Sequence, residues 1–479
     1  MLLFFTLVSL VLFLIFFFFM TRIHKLKHQF PNLPPGSMGW PIVGENLEFL
    51  ASSLSGTPES FIQNRVKKYS SQIFKTSIVG QKVVFFCGPA ANKFVFYNQN
   101  TLFRSWWPTA MVRIFPTRLS FDEENKKIRT ILPTFLKSDS IRRYVSIMHG
   151  MTKTHLKMHW EGKDEVLALP LVMKYTFTMG CRLLASVEDD SLMKKLEGRT
   201  EVVSIGSLCF PYKITGFPLH NSIVSSKFVR DEFLKIIKKR KSELIEGKVL
   251  PTQDILSTIL TAKGEDGNMW FPDENDIASL IFILLTASYY TTTTTLTFLM
   301  SYLAENPYVY DRVLKEQEEI AQMKTDGEEL KMEDLQKMKY SWNVVCEVLR
   351  LVPSLQGSFR EVITDFSYAG FSIPKGFRVL WNAYSTHMDP KWFPEPKKFD
   401  PSRFEGDGPA PYTWVAFGGG SQMCPGINYA RCQILVFIHH IVRKFKWEKL
   451  LQDERTILDP LPQPEKGCPI RLHRHLHSL

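Results

Sequence analysis

The run Phe417-Gly-Gly-Gly-Ser-Gln-Met-Cys-Pro-Gly426 constrains this chain more than any other stretch. It sets one cysteine, Cys424, between a glycine cluster and a proline, just ahead of an apolar segment with helical spacing. Glycine reaches backbone conformations closed to other residues, so the chain can turn sharply there and aim its N–H groups at the sulfur. A tight loop, a lone cysteine and a following helix are what an axial thiolate to haem iron requires. Taken alone, the loop has a second reading, a buried free cysteine beside a glycine-rich turn.

The chain has 479 residues, 44% of them hydrophobic, which is ample for a large core. That length suits two or three domains, or one large fold. The net charge of +11 is spread along the chain, with no Lys/Arg block long enough for a nucleic-acid arm, so no nucleic-acid partner is expected. A basic surface suits anionic lipid or an acidic protein partner, and equally plain solubility. The seven cysteines are odd in number, irregularly spaced and lack a Cys-x-x-Cys pair. That argues against a disulfide framework or a zinc cluster and for a reducing compartment.

Leu2 to Met20 carries no charge and only two polar residues, Thr6 and Ser9. It is long enough to cross most of a hydrocarbon core of ~30 Å. Arg22, His24, Lys25, Lys27 and His28 follow, with no basic region before the apolar run. The pattern predicts an uncleaved transmembrane signal anchor over residues 1–21, with the rest of the chain in the cytosol. Residues 22–36 read as a basic, proline-rich hinge, because Pro34-Pro35 cannot continue a helix. Residues 37–479 read as one large domain, mainly α with a minor β region.

A β-hairpin is expected from Phe74 to Phe86, turning at Gly80-Gln81. Helices are expected over Ser225–Ile245, Ile277–Leu303, Tyr310–Gln322 after Pro307, Tyr340–Leu351 before Pro353, and Pro425–Lys444. Short strands are expected at Phe366–Ile373 and Phe377–Trp381. The apolar run Ile277–Leu285 is too short to span a bilayer and opens a threonine-rich helix.

Glu347 and Arg350 lie three apart in a helical segment and share a face. Downstream, Trp392-Phe-Pro-Glu-Pro-Lys-Lys-Phe-Asp-Pro-Ser-Arg-Phe404 is a proline-rich meander that carries Arg403. In order along the chain come the Glu-x-x-Arg helix, this meander and the cysteine loop. Together they resemble the cytochrome P-450 superfamily, whose loop reads Phe-x-x-Gly-x-Arg-x-Cys-x-Gly. Phe417, Gly420, Cys424 and Gly426 match it.

The resemblance implies the cytochrome P-450 fold, haem as cofactor and Cys424 as the iron ligand, in a loop that includes Phe417, Gly418 and Gln422. It implies a buried cluster of Glu347 with Arg350 and Arg403, since one carboxylate can hold two guanidiniums. Arg129 and Arg360 match positions that bind the haem propionates. Gln422 stands where the family has a propionate-binding Arg, so weaker haem binding is expected.

The oxygen-activating helix departs too. The family pattern Ala/Gly-Gly-x-Asp/Glu-Thr-Thr/Ser becomes Ala287-Ser-Tyr-Tyr-Thr-Thr292. Thr291 keeps the hydroxyl for dioxygen, while Tyr290 replaces the acid. A phenol near pKa ~10 is a poorer proton relay at neutral pH than a carboxylate near ~4. Proton delivery therefore falls to water, substrate or another residue, or is impaired. The threonine run Thr291–Thr295 weakens the helix through β-branching and back-bonding.

Leu33-Pro-Pro-Gly-Ser-Met-Gly-Trp-Pro-Ile-Val-Gly44, Ser105-Trp-Trp-Pro108 and Pro469-Ile-Arg-Leu-His473 resemble the plant triterpenoid oxidases of the β-amyrin oxidase type. That resemblance implies a monooxygenase using dioxygen and electrons from NADPH through a cytochrome reductase. The substrate would be a bulky apolar triterpenoid, sterol or diterpenoid. The anchor would hold the enzyme on the cytoplasmic face of the endoplasmic reticulum membrane, in contact with lipid. Trp106, Trp107, Thr286, Leu355 and Cys468 fall where relatives line a pocket. Two alternatives follow from the missing acid: a haem-thiolate enzyme that rearranges, dehydrates or desaturates, and a non-catalytic haem-binding relative.

Overall fold

The computed structural model describes residues 32–475, apart from 41–42, 56, 58, 79, 118–122, 124–126, 131, 133–137, 208–216, 265, 326 and 460. The expected anchor over 1–21 and the first part of the hinge over 22–36 lie outside the described residues. Two compact units form. The smaller holds the described residues up to Trp106 together with Gly357–Ser385, and the larger holds Trp107–Gln356 with Thr386 onward. The expected domain over 37–479 spans both.

The smaller unit is built on a five-stranded sheet in the order Ile73–Ile78, Gln81–Phe86, Arg378–Asn382, Gly357–Val362, Phe103–Ser105. The expected hairpin is present, with Ile78 opposite Gln81 and Gly80 at φ +68° in the turn. Val83, Val84, Phe85 and Phe86 are all buried, although a half-exposed strand would alternate. Their strand is interior to the sheet, and it pairs in parallel with Arg378–Asn382, a contact between residues some 300 positions apart in the chain. The expected run Phe366–Ile373 is a small hairpin of two strands, Phe366–Tyr368 and Phe371–Ile373. Asn32–Gly36, the end of the expected hinge, is pinned to this unit: the Lys75 amide donates to the Pro35 carbonyl at 2.8 Å, and the Ser372 amide to that of Asn32 at 2.8 Å.

The larger unit is mostly helical. The expected helices run Pro218–Ile245, Glu274–Glu305, Pro307–Gln322, Lys339–Leu351 and Ile427–Lys444. The first begins seven residues earlier than expected, with Pro218 in its first turn, where a missing N–H costs nothing. The last begins two residues later, because Gly420–Gln422 forms a 3-10 turn and Gly426 precedes the helix. Helices Ser138–His159, Ala168–Ala185 and Asp190–Gly206 lie outside the expected set.

The long helix Glu274–Glu305 joins two hydrophobic clusters. Its first half, Ile277 to Tyr289, belongs to the cluster with helices Asp190–Gly206 and Pro218–Ile245. Its second half, Leu296 to Leu303, belongs to the cluster with helices Lys339–Leu351 and Ile427–Lys444. The threonine run lies at the seam, with Thr292–Thr295 buried and the Thr176 and Thr293 hydroxyls 2.7 Å apart. Gly180 allows the helix Ala168–Ala185 to approach closely, since a Cβ there would lie 2.7 Å from Leu285 Cδ1. Among the described residues, Glu274–Glu305 is the one helix long and apolar enough to cross a membrane. Most of its apolar window is buried inside the protein, as expected of a core helix.

Cys468 departs from the pocket role the resemblance implied. It is 1% exposed, inside the cluster that includes Trp447 and Ile470, and burial pushes its thiol up to about 12. Leu355 is half-exposed, at 54%.

Candidate active site

The cysteine loop is built by its own backbone. Gly418 and Gly420 take φ +72° and +64°, a region that favours glycine, and each takes part in a turn, the Gly418 amide bonding the Val415 carbonyl and the Met423 amide that of Gly420. The Gly418 amide donates to the Val415 carbonyl and the Cys424 amide to the Phe417 carbonyl, each at 2.8 Å. Phe417 packs against Trp414 and Trp342, with ring centroids 5.9 and 6.4 Å apart. Trp414 Nε1 donates to the Cys346 carbonyl at 3.2 Å, which fastens the loop to the helix Lys339–Leu351.

Cys424 differs from the other described cysteines. Cys87, Cys181, Cys346, Cys432 and Cys468 are buried, and Cys424 is partly exposed. Burial raises the Cys424 thiol, but the Gly426 amide and the Arg129 charge pull the other way. It also stands just before the first turn of Ile427–Lys444, where the helix dipole favours a thiolate.

Arg129 meets this loop. Its Nη1 donates to the Met423 carbonyl at 2.5 Å and its Nη2 to that of Gln422 at 3.2 Å. The structure thus joins Arg129, Gln422 and Cys424. Arg360 belongs to the smaller unit, where Nε donates to Gln99 Oε1 at 2.9 Å and Nη1 to the Ser358 hydroxyl at 2.6 Å.

Glu347, Arg350 and Arg403 also come together, though unequally. Arg350 donates to both oxygens of Glu347, at 2.7 and 2.8 Å, and neither side chain is exposed. Its remaining N–H groups reach the carbonyls of His387, Pro396 and Lys398. All five donors of the guanidinium are therefore used. Arg403 Nε lies 3.5 Å from Glu347, an ion pair without a hydrogen bond, and its Nη2 donates to the Glu395 carbonyl. The Asp400 amide fills the remaining place on Glu347 at 2.9 Å.

On the long helix, Ala287 is exposed and Thr291 partly so, within a helix otherwise largely buried. Thr291 Oγ1 donates to the Ala287 carbonyl at 2.7 Å. The Thr291 carbonyl in turn accepts from the hydroxyls of Thr295 and Ser354, at 2.9 and 3.0 Å. These bonds spend hydroxyls on the helix's own backbone, the competition its composition implies. Tyr290 turns elsewhere. Its hydroxyl donates to the Thr200 carbonyl of helix Asp190–Gly206 at 3.2 Å, and burial raises it far above the ordinary phenol range. The hydroxyl that replaces the acid is therefore committed to a neighbouring helix. No charged side chain lies between Asp276 and Glu305.

Two residues of the site carry no local sequence signal. His387 is fully buried between the Arg350 helix and the cysteine loop. Glu197, on helix Asp190–Gly206, acts electrostatically on Tyr289 and Tyr290, and its carboxyl is raised by burial and by Glu201. Only tertiary packing reveals either.

A helical body with a partly exposed cysteine on a glycine-shaped loop, beside a buried carboxylate–guanidinium cluster, defines a haem-thiolate protein. The cytochrome P450 family model matches residues 34–471. A "Beta-amyrin 28-monooxygenase" of Vitis vinifera is 50% identical over 454 residues, covering 94% of each chain. One of Medicago truncatula is 49% identical, covering 99% of this chain and 98% of its own. The solved structure of a retinoic-acid-bound cyanobacterial CYP120A1 superposes with a TM-score of 0.82 at 28% identity, over 93% of this chain and all of that one.

The chain belongs to the cytochrome P450 family. It is an oxidoreductase of the monooxygenase type, with haem as its cofactor. Its own residues fit that group: a loop that presents one sulfur, an arginine at that loop, and a helix face left uncovered at Ala287 and Thr291.

Proposed function

We propose that the protein oxidises a triterpenoid of the β-amyrin type, at the carbon that its relatives' names designate as 28. The observation that carries this is identity of about half, sustained over nearly the whole chain, to enzymes of that name. Dioxygen, two electrons and two protons would be consumed, with one oxygen atom entering the substrate and the other leaving as water. NADPH would supply the electrons through a cytochrome reductase. The apolar N-terminus over 1–21 would anchor the enzyme to the endoplasmic reticulum membrane, where an apolar substrate dissolves.

In this reading Cys424 holds the iron, and the bound haem supplies oxygen activation. Arg129 would be a cationic partner of its propionates, with Gln422 a neutral donor. Thr291 would present its hydroxyl oxygen on the uncovered part of the helix face, its proton held by the Ala287 carbonyl. Tyr290, bonded to Thr200, would not be the proton donor, and with no charged side chain between Asp276 and Glu305 on this helix the proton would come from solvent or substrate.

A second reading, rearrangement or desaturation, is favoured by one observation: no charged side chain lies along the helix around Thr291. Co-expression with a plant reductase and β-amyrin, followed by product mass, separates the two. A product heavier by one oxygen atom supports hydroxylation. An isomer of β-amyrin, or a product lighter by two hydrogens, supports the second reading. An untouched substrate across a panel of triterpenoids, sterols and diterpenoids sinks both.

A further inference from the structure

His387 is buried to 0% exposure and joins two parts of the site that the sequence leaves unrelated. Its Nδ1 lies 3.1 Å from the carbonyl of Arg350, at the end of the helix that carries the ion cluster. Its Nε2 accepts from the Val415 amide at 2.9 Å. Since a carbonyl only accepts and an amide only donates, the ring must be the neutral tautomer with its proton on Nδ1. The line continues on backbone alone. The Val415 carbonyl accepts from Gly418, and the Phe417 carbonyl accepts from the amide of Cys424.

We propose that His387 is a positioning residue for the thiolate loop, tying the start of the loop at Val415 to the Arg350 helix so that Cys424 keeps one orientation. The proposal rests on the reading of Cys424 as the iron ligand. Three facts support it. Val415 is 2% exposed, so its amide has no solvent to turn to if the imidazole is removed. Arg350 Nη1 also donates to the carbonyl of His387 itself, so both the backbone and the ring of this residue are held by the ion-cluster helix. And the ring stays neutral: burial, then the nearby Arg350 charge, push it down to about 3.

Two conservative variants divide the two bonds. In His387→Gln the amide oxygen can reach where Nε2 stood and accept from Val415. In His387→Asn the shorter side chain reaches only the Arg350 carbonyl. His387→Leu removes both. Each full-length enzyme is loaded with haem, and the carbon monoxide difference spectrum of the reduced form is compared with far-ultraviolet circular dichroism of the same sample. The wild-type spectrum reports whether Cys424 is the ligand at all, independently of His387.

The expected result is a thiolate-type band retained in His387→Gln, and roughly half or more of it lost in His387→Asn and His387→Leu while the helical signal stays. Equal spectra for Asn and Gln, or a wild-type spectrum for Leu, overturn the proposal. So does a band lost only in step with unfolding. If Asn and Leu give no soluble protein, His387→Gln decides alone: a stable thiolate band supports the Val415 tie, and its loss overturns it.

Discussion

The hydroxyl of Tyr290 donates to the carbonyl of Thr200 at 3.2 Å, which joins the long helix Glu274–Glu305 to the helix Asp190–Gly206. The tyrosine is thus a clamp between helices. Glu197 and Glu201 both act electrostatically on it. An acid at position 290 would stand near two other carboxylates.

Restoring the acid should therefore not help. Tyr290→Asp is expected to lower stability by about 1–3 kcal/mol, through a buried charge and a lost bond, with no gain in turnover. Tyr290→Phe should cost only about 0.5–1.5 kcal/mol. Thermal midpoints and product formation rates check both. A several-fold faster Tyr290→Asp enzyme would show that the lost acid limits the reaction.

Arg129 should matter for holding haem more than for holding the fold. Arg129→Gln frees the carbonyls of Gln422 and Met423 and removes a cation. Haem transfer to an apoprotein acceptor is expected to speed up by roughly tenfold, the worth of one charge-assisted bond. Gln422→Arg is expected to slow that transfer, and stopped-flow Soret absorbance reads both.

The cluster at Glu347 should obey the logic of buried ion pairs. Glu347→Gln strands the Arg350 guanidinium at 0% exposure and is expected to cost about 3–5 kcal/mol. Glu347→Met combined with Arg350→Leu should be less harmful than either change alone, as a double-mutant cycle in chemical denaturation would show. Arg403→Lys should cost less than Glu347→Gln, because it keeps the charge and its 3.5 Å contact with Glu347 lacks a hydrogen bond.

Acid should destabilise the fold through its buried histidines. Burial first, and neighbouring positive charge second, push His155, His387 and His439 down to about 3. In the unfolded chain each takes up a proton near pH ~6.5, so that state binds more protons and gains as pH falls. Stability from these groups is complete above ~6.5 and declines toward pH 3. Each is expected to cost about 1.4 kcal/mol by pH ~5.5. The thermal midpoint should fall steeply below pH ~6.5, and less steeply in His155→Gln or His439→Gln. A flat midpoint between pH ~7 and ~5 would refute this.

Much of the architecture is legible locally. The hairpin at Ile73–Phe86 declares itself through β-branched and aromatic residues around Gly80, and Pro307 and Pro353 bracket helices that form where expected. Strand Gly357–Val362 escapes notice, because its partners Phe103–Ser105 and Arg378–Asn382 are remote in sequence and its own burial barely alternates. Helices such as Ala168–Ala185 escape because they are apolar on several sides. The site follows the same division. Cys424 and its glycines announce a loop, whereas His387 ends the short helix Tyr384–His387 and belongs to no motif read from the sequence.

The amino-acid order by itself singles out Cys424 as the proposed iron ligand and dictates how its loop bends, since glycine at positive φ and a lone cysteine before a helix are local properties. The tertiary structure alone decides what holds that loop in place. Arg129 on Gln422 and Met423, His387 between Arg350 and Val415, and Tyr290 on Thr200 each join segments that only packing makes neighbours. Buried polar groups must find partners wherever the chain brings them, and sequence distance carries no record of that search.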